Sequence, residues 1–432
     1  MGAIYNAFGI IGLKLLKFTC SAAAMVFLTL ALTETEAPIT LQLAILLAVS
    51  VAIAPQMQFR PQLFTVVLMS ALLAILARYT FRGRASVWLA VAMLAVWANL
   101  HGGFIVGLAT LGTFSAIVLL QDLVEGRGAK RGLFLFAMFA ASVLVTLVTP
   151  YGFGTWSAVA HAMVNPQTRE VISDWQPLLR AVVAIWHRNH AGAVPLMLAI
   201  VMFSALAASF ALNPRRNDLP MVAIAATMIF AAFIAMRNLP LAVMATAIPL
   251  ARHSSRAVRQ RPLRKPTCIN QIIVSIAAVA MLIETGLLSP MLRAGSPKPN
   301  GAIAFMEAHR LSGNIMTDFA WGEYLIWHLE PASKVYLDGR YDTVYPAEVI
   351  DDYLAFEFGR SGAKTFLRKY PHDFMLLGSG DEMPLALMTR ARGWTQLYRD
   401  GSCILFARAD SAAAKIPSVV VSSKETPASC FP

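Results

Sequence analysis

Four short polar stretches interrupt an otherwise apolar chain, and their residue types suit anion binding and proton transfer. Residues 97–107, Trp-Ala-Asn-Leu-His-Gly-Gly-Phe-Ile-Val-Gly, set Asn99 and His101 between two apolar runs. An imidazole can hold a phosphate or act as acid or base near neutral pH. The competing reading is a helix-end histidine bonded to its neighbours. Gly102-Gly103 permits a tight reversal and close backbone approach. Arg60, in Pro55-Gln56-Met57-Gln58-Phe59-Arg60-Pro61, and Arg237, before Asn238, each carry a guanidinium. That group suits bidentate phosphate or pyrophosphate binding; either side chain could instead snorkel to a membrane interface. Asp174 beside Trp175 is a carboxylate–aromatic pair of the kind that holds sugars. The alternative is a tryptophan anchoring a surface helix next to a solvated carboxylate.

Other residues carry weaker signals. His187 and His190 are one helical turn apart with Trp186 before them, but no cysteine or carboxylate nearby completes a metal set, so no metal ligands are expected. Tyr151, in Thr149-Pro150-Tyr151-Gly152, is a substrate-contact or structural residue. Asp338, Arg340 and Asp342 follow a short apolar run. They read first as a turn with an internal salt-bridged corner, and second as a substrate contact. The sequence has no Walker loop, no Gly-x-Ser-x-Gly and no dinucleotide fingerprint. No cofactor is therefore expected, and a divalent-metal requirement stays open.

The elements that must position these residues are membrane helices. The chain has 432 residues, of which 57% are hydrophobic and 14% charged, with a mean hydropathy of +0.60. Soluble domains carry about 25% charged residues. The net charge of +12 sits in loops between apolar runs, the pattern of cytoplasmic membrane loops rather than of a nucleic-acid binder. Cys20, Cys268, Cys403 and Cys430 are too scattered for a metal set, and a Cys403–Cys430 disulfide is open but unsupported. The start Met1-Gly2-Ala3-Ile4-Tyr5-Asn6 lacks the basic flank of a cleavable signal.

A membrane-crossing helix needs about 20 apolar residues. Candidates lie near 11–32, 39–54, 61–77, 85–100, 103–121, 132–149, 193–212, 219–236 and 268–290, with a shorter one at 239–251, giving nine or ten spans over residues 1–292. Pro38, Pro61, Pro220 and Pro240 suit helix starts. The basic loops holding Arg78, Arg82 and Arg84, then Arg127, Lys130 and Arg131, then Arg215 and Arg216, then the stretch 252–265, all fall on one side if 239–251 returns the chain. Glu34 falls there too. Arg60, His101, the long segment 149–192 and Arg237 then face the other, outer side.

From about residue 298 apolar runs shorten to strand length. Strands are expected near 313–317, 334–338, 373–377, 394–398 and 402–407, with helices at 300–310, 320–329, 347–357, 362–370 and 382–391. That alternation is a small α/β domain over 298–409, followed by a disordered tail at 410–432. The fold class expected is mainly α: a polytopic transmembrane helical bundle with a small C-terminal α/β soluble domain.

Taken in order, Arg60-Pro61, Trp97-Ala98-Asn99-Leu100-His101-Gly102, Thr149-Pro150-Tyr151-Gly152, Asp174-Trp175-x-Pro177, Arg237-Asn238-x-Pro240, Trp321-Gly322 and Asp338-Gly339-Arg340 resemble bacterial polytopic proteins related to the GT-C class of glycosyltransferases. The resemblance implies a multi-spanning enzyme of the bacterial inner membrane. It would move a sugar from a polyprenyl-phosphate donor to an envelope acceptor on the outer face, where the C-terminal domain would also lie. Arg60, Asn99, His101 and Arg237 become candidates for the donor phosphate, and Asp174 for the catalytic carboxylate. The class usually places an acidic residue in a first outer loop. Here no Asp or Glu precedes Glu34, so Met1 is read as starting just ahead of what would be the second span, with residues 1–10 ending a first-loop helix. The alternatives are a non-catalytic component of envelope polysaccharide assembly, partnered by other assembly proteins, and a transporter. Few ionisable residues sit mid-span, which argues against transport.

Overall fold

The computed structural model describes the chain except for residues 58–59, 84, 166–171, 189, 214–217, 256–271, 273, 277–278, 280–297, 342–343 and 422–432. It divides into two units, Met1–Ala294 and Gly295–Phe431. The expected span at 268–290, the loop arginines 84, 215 and 216, Cys268, Cys430 and Asp342 lie largely or wholly outside the described residues.

The first unit is helical: α1 (Gly2–Thr33), α2 (Ile39–Ile53), α3 (Gln62–Arg82), α4 (Trp88–Leu100), α5 (Phe104–Val124), α6 (Lys130–Val145), α7 (Phe153–Val164), α8 (Leu178–Arg188), α9 (His190–Leu212), α10 (Leu219–Ile234) and α11 (Leu239–Ser254). Pro38 and Pro61 immediately precede α2 and α3, and Pro220 and Pro240 lie in the first turns of α10 and α11. A missing N–H is harmless there because that donor has no helical partner. Gly83, at φ 66°, stops α3 with its N–H on the Tyr79 carbonyl. α1 breaks at Gly9 (φ 59°, ψ −153°).

Four helices among the described residues are long and apolar enough to cross a membrane: α1, α3, α5 and the Gly192–Leu212 part of α9. α2, α4, α6, α10 and α11 have 13 to 16 residues. At about 1.5 Å per residue they reach about 20–24 Å, short of an apolar core about 30 Å thick. The segment 149–192, expected as one long outer loop, is instead largely helical, with α7, a single turn at Ser173–Trp175 and α8. α7 has no buried residue, and Tyr151, Phe153 and Val164 stand 75–80% exposed. The helix lies at the surface, with Trp156 and Val159 partly buried against the core of the unit.

α11 is the centre of the bundle. Every residue from Leu239 to Ala251 is buried, packed by α10, α9, α2, α3 and α1. The run Leu-Pro-Leu-Ala-Val-Met-Ala-Thr-Ala-Ile-Pro-Leu-Ala is apolar on all sides, as a helix surrounded by others must be.

The two ends of this bundle differ. At one, Arg82 pairs with Glu34 (2.6 Å), and Arg252 lies 3.6 Å from Glu36 and donates to the Thr35 carbonyl (3.0 Å). Arg131 reaches Asp122 (3.5 Å) and sits over the Tyr79 ring. The described basic loops therefore share an end. Arg60, His101, Asp174 and Arg237 line a cavity at the other.

The second unit contains α12 (Asn300–Ala308), α13 (Gly322–Leu329), α14 (Ala347–Glu357), α15 (Ala363–Lys369) and α16 (Glu382–Arg390) around a six-stranded mixed sheet. The strands are β1 (Asn314–Thr317), β2 (Lys334–Val335), β3 (Phe374–Gly378), β4 (Trp394–Arg399), β5 (Cys403–Arg408) and β6 (Val419–Val420), ordered β2-β1-β3-β5-β4-β6. All five expected strands and five expected helices occur, though the second strand is only two residues long. The tail expected from residue 410 differs. A turn at Ala412–Lys415 leads to β6, which pairs in parallel with β4. Val419 and Val420 are β-branched and complete an open sheet edge, a use that composition did not reveal. Cys20 and Cys403 are free, buried thiols.

Two quoted motifs interlock here. A Cβ on Gly322 would lie 2.5 Å from the Leu337 carbonyl and 2.7 Å from the Asp338 Cα. A Cβ on Gly339 would meet only the end of the Glu323 side chain. Gly322→Ala is therefore expected to destabilise this unit by about 1–3 kcal/mol, and Gly339→Ala by less than about 0.5 kcal/mol. Hydrogen exchange of β3 amides in the full chain measures both. Equal effects would mean that close approach at Gly322 is not what fixes the glycine.

Candidate functional site

A cavity of about 430 Å³ opens in the first unit. One part of its wall is small and apolar, with Val106, Ala109, Ala158, Val159, Ala162 and Ala231. The other part is polar, with Arg60, Gln62, Thr65, His101, Asp174, Trp175, Arg237 and Asn238. Local breaks deliver each group. α10 ends at Ala235 in extended backbone (φ −147°, ψ 120°), and the single turn Met236–Asn238 holds Arg237 before α11 begins. The Met236 N–H donates to the Gln176 carbonyl (2.9 Å), tying this turn to the turn at 173–175. That tie sets the Trp175 ring against Arg237, 4.1 Å from guanidinium carbon to ring centre. Asp174, on the same turn, has its Oδ2 3.4 Å from Nη1 of Arg60.

Arg237 is half-buried. Among the described residues it makes no ion pair within 4.0 Å and no hydrogen bond through its guanidinium. Burial pushes its pKa down; the Asp174 charge opposes this and the Arg60 charge adds to it. A guanidinium stays charged at any working pH, so the site carries a half-buried cation with no direct carboxylate contact among the described residues.

His101 is turned inward. α4 ends at Leu100, and His101 is extended (φ −162°, ψ 142°). Its Nδ1 lies 2.8 Å from Thr65 Oγ1 and accepts the Gly103 N–H at 3.1 Å. Thr65 Oγ1 in turn accepts the indole N–H of buried Trp97 at 2.9 Å. Burial, with the Arg237 charge beside it, lowers the His101 pKa to about 4. A shift in this direction favours the neutral imidazole at physiological pH. Its recorded contacts are all at Nδ1. Gly103 is in ordinary helical conformation (φ −65°). Its Cβ would fall against Thr65 and 2.9 Å from His101 Nδ1, so lack of a side chain, not left-handed backbone, is what the site requires.

The structure thus brings together Arg60, His101, Asp174, Trp175 and Arg237. Asn99 is elsewhere: its amide donates to the Ala95 and Val148 carbonyls (both 2.9 Å) and does not line the cavity. It staples α4 to the 146–152 turn. Tyr151 is 80% exposed and also outside the cavity wall. Asp338 and Arg340 belong to the second unit, where Arg340 Nη2 and the Tyr345 hydroxyl each donate to Asp338 Oδ2 at 2.6 Å. Burial would raise the Asp338 carboxyl, but these bonds hold it below its ordinary value. Asp338 is fully buried in this corner, a structural arrangement. His190 packs at a tilt against the Trp186 ring, with ring centres 4.4 Å apart. Thr65 and Trp97 were not singled out from the sequence as site residues. A hydroxyl four residues after Pro61 in an apolar helix was the available signal.

No protein-family model matches the sequence, and no curated protein matches it. Among solved structures, the chain is similar to the cryo-EM structure of the arabinofuranosyltransferase AftD from mycobacteria, with 15% identity and a TM-score of 0.45. The match covers 95% of this chain and 37% of that one, so the chain spans little more than a third of that protein's length.

Proposed function

We propose that this is a membrane glycosyltransferase-like protein that binds a polyprenyl-phosphate-linked sugar in the cavity of its first unit and transfers the sugar to an envelope acceptor. The observation that carries the reading is Arg237. A half-buried cation without a carboxylate partner is costly until an anion arrives, and the adjoining wall of small apolar residues suits an isoprenoid chain. Two guanidinium groups and one carboxylate leave the described polar wall with one net positive charge. That matches a phosphodiester, which carries a single negative charge. Arg60 and Arg237 would stabilise the phosphate as it leaves, and His101 would donate to it. The acceptor hydroxyl attacks the anomeric carbon as the bond to the phosphate oxygen breaks, and Asp174 takes the hydroxyl proton. This displacement inverts the anomeric centre. The cavity end would face outward, and the end holding the basic loops would face the cytoplasm. The second unit would be extracytoplasmic.

The experiment is sugar transfer from radiolabelled polyprenyl-monophosphoryl hexose by the full chain in proteoliposomes. Arg60→Ala and His101→Ala are expected to lower transfer at least tenfold, and Asp174→Asn to abolish transfer while leaving donor binding. No binding by the wild type, or no effect of any of these changes, would sink the reading. A second reading is favoured by one contact: Asp174 already pairs with Arg60. If donor binds but no acceptor receives sugar, the protein is a non-catalytic carrier-binding component of envelope assembly.

A further inference from the structure

We infer that Trp97 and Thr65 are positioning residues that lock His101 in a single neutral tautomer, with its Nε2–H offered to the ligand in the cavity. The proposal rests on the cavity being the ligand site, and it follows from counting protons along three contacts. The indole N–H of Trp97 can only donate, and it donates to Thr65 Oγ1 at 2.9 Å. Trp97 is fully buried and Thr65 is 5% exposed, so this indole N–H has no water to turn to. The Thr65 oxygen thereby keeps its own proton free to give, and His101 Nδ1 is 2.8 Å away. The backbone N–H of Gly103 also can only donate, and it too ends on Nδ1, at 3.1 Å.

Two donors converging on Nδ1 leave no room for a proton there. In a neutral imidazole the proton must then sit on Nε2. Among the described residues no protein group bonds Nε2, and His101 is one of the residues lining the cavity. The chain Trp97 → Thr65 → His101 therefore ends as a hydrogen-bond donor aimed at a bound oxygen. The burial that holds the ring neutral agrees with this orientation. Arg60 and Arg237, the charged groups facing the ring from the other turns, favour the neutral ring as well. Asp174, the one carboxylate lining the cavity among the described residues, pairs with Arg60 rather than with His101. A neutral donor grips a phosphate oxygen without adding charge, and the ring keeps its proton when the ligand dissociates.

The test uses the full chain with ¹⁵N-labelled histidine in lipid nanodiscs, and didecyl phosphate as a probe. Its phosphodiester keeps one charge across the pH range. Nitrogen spectra of the ligand-free wild type are expected to show His101 as the Nε2–H tautomer from pH 5.5 to 8. Thr65→Val is expected to give a mixture of tautomers and to weaken probe binding about ten- to a hundredfold, the loss of one hydrogen bond to a charged group. Thr65→Ser, which keeps the hydroxyl, is expected to restore both. An Nδ1–H tautomer or a charged ring in the wild type overturns the proposal whether or not the probe binds, and needs no variant to fold. An unchanged tautomer in Thr65→Val overturns it as well. If the wild type shows the Nε2–H tautomer but binds no probe, the ligand role falls together with the reading of the cavity, and only the relay's geometry survives.

Discussion

Arg237→Ala should weaken binding of a polyprenyl phosphodiester by about thirtyfold to a few thousandfold. Removing one partner of a desolvated charge pair typically costs about 2–5 kcal/mol, and about 2.7 kcal/mol is a hundredfold. Arg60→Ala should cost less, because Arg60 is more than half exposed and already shares Asp174, so water and salt screen it. Arg237→Lys should recover only part of the loss. A lysine lacks the planar fork and the flat face that stacks on Trp175. Without a phosphate, removing the unpaired buried cation should leave the helical unit as stable or more stable. Titration of the probe into each variant, with melting temperature recorded alongside, checks both halves. Equal losses for Arg60→Ala and Arg237→Ala would mean that burial does not set the strength of the site. A fall in stability for Arg237→Ala would make the arginine structural.

Raising the pH from 5 to 9 should destabilise the second unit, and Glu357→Gln should remove that loss. Burial, then the charges of Asp318 and Asp381, raise the Glu357 carboxyl to about 8, with a bond from Tyr353 opposing the shift. Its Oε2 has no hydrogen-bond partner. The folded pKa lies above the ordinary value of 4.5, so the folded unit holds a proton that the unfolded chain releases. The resulting stabilisation is complete below about pH 4.5 and is lost as the pH rises through about 8. Allowing for the group's partial exposure, the change is on the order of 3 kcal/mol. Glutamine keeps the shape and cannot ionise. Urea unfolding of the full chain, with wild type and variant compared at each pH, isolates the group. A variant that is less stable than the wild type by the same amount at every pH would contradict the assignment.

The sequence by itself determined the class of the molecule. Low charge and long apolar runs dictate membrane helices, and prolines mark where α2, α3, α10 and α11 begin. Strand-length runs in the last third dictate the sheet. It also singled out Arg60, His101, Asp174, Trp175 and Arg237, because polar side chains between apolar runs are conspicuous. All of these signals are local in the chain. Tertiary structure alone decided which of those residues meet. Asn99 sits two positions from His101, yet it faces the Val148 carbonyl instead of the cavity, because a helix ending at Leu100 sends the two side chains different ways. The same packing lays Thr65 and Trp97 against His101 and so decides its proton, which no spacing encodes. It made Arg237 a half-buried cation and left Arg60 in water, although both read alike in the sequence. It buried α11 on every side and left α7 at the surface, and it used Val419 and Val420 to finish a sheet edge. Burial, partner and protonation state belong to the space around a side chain, and that space is filled by residues distant in the chain.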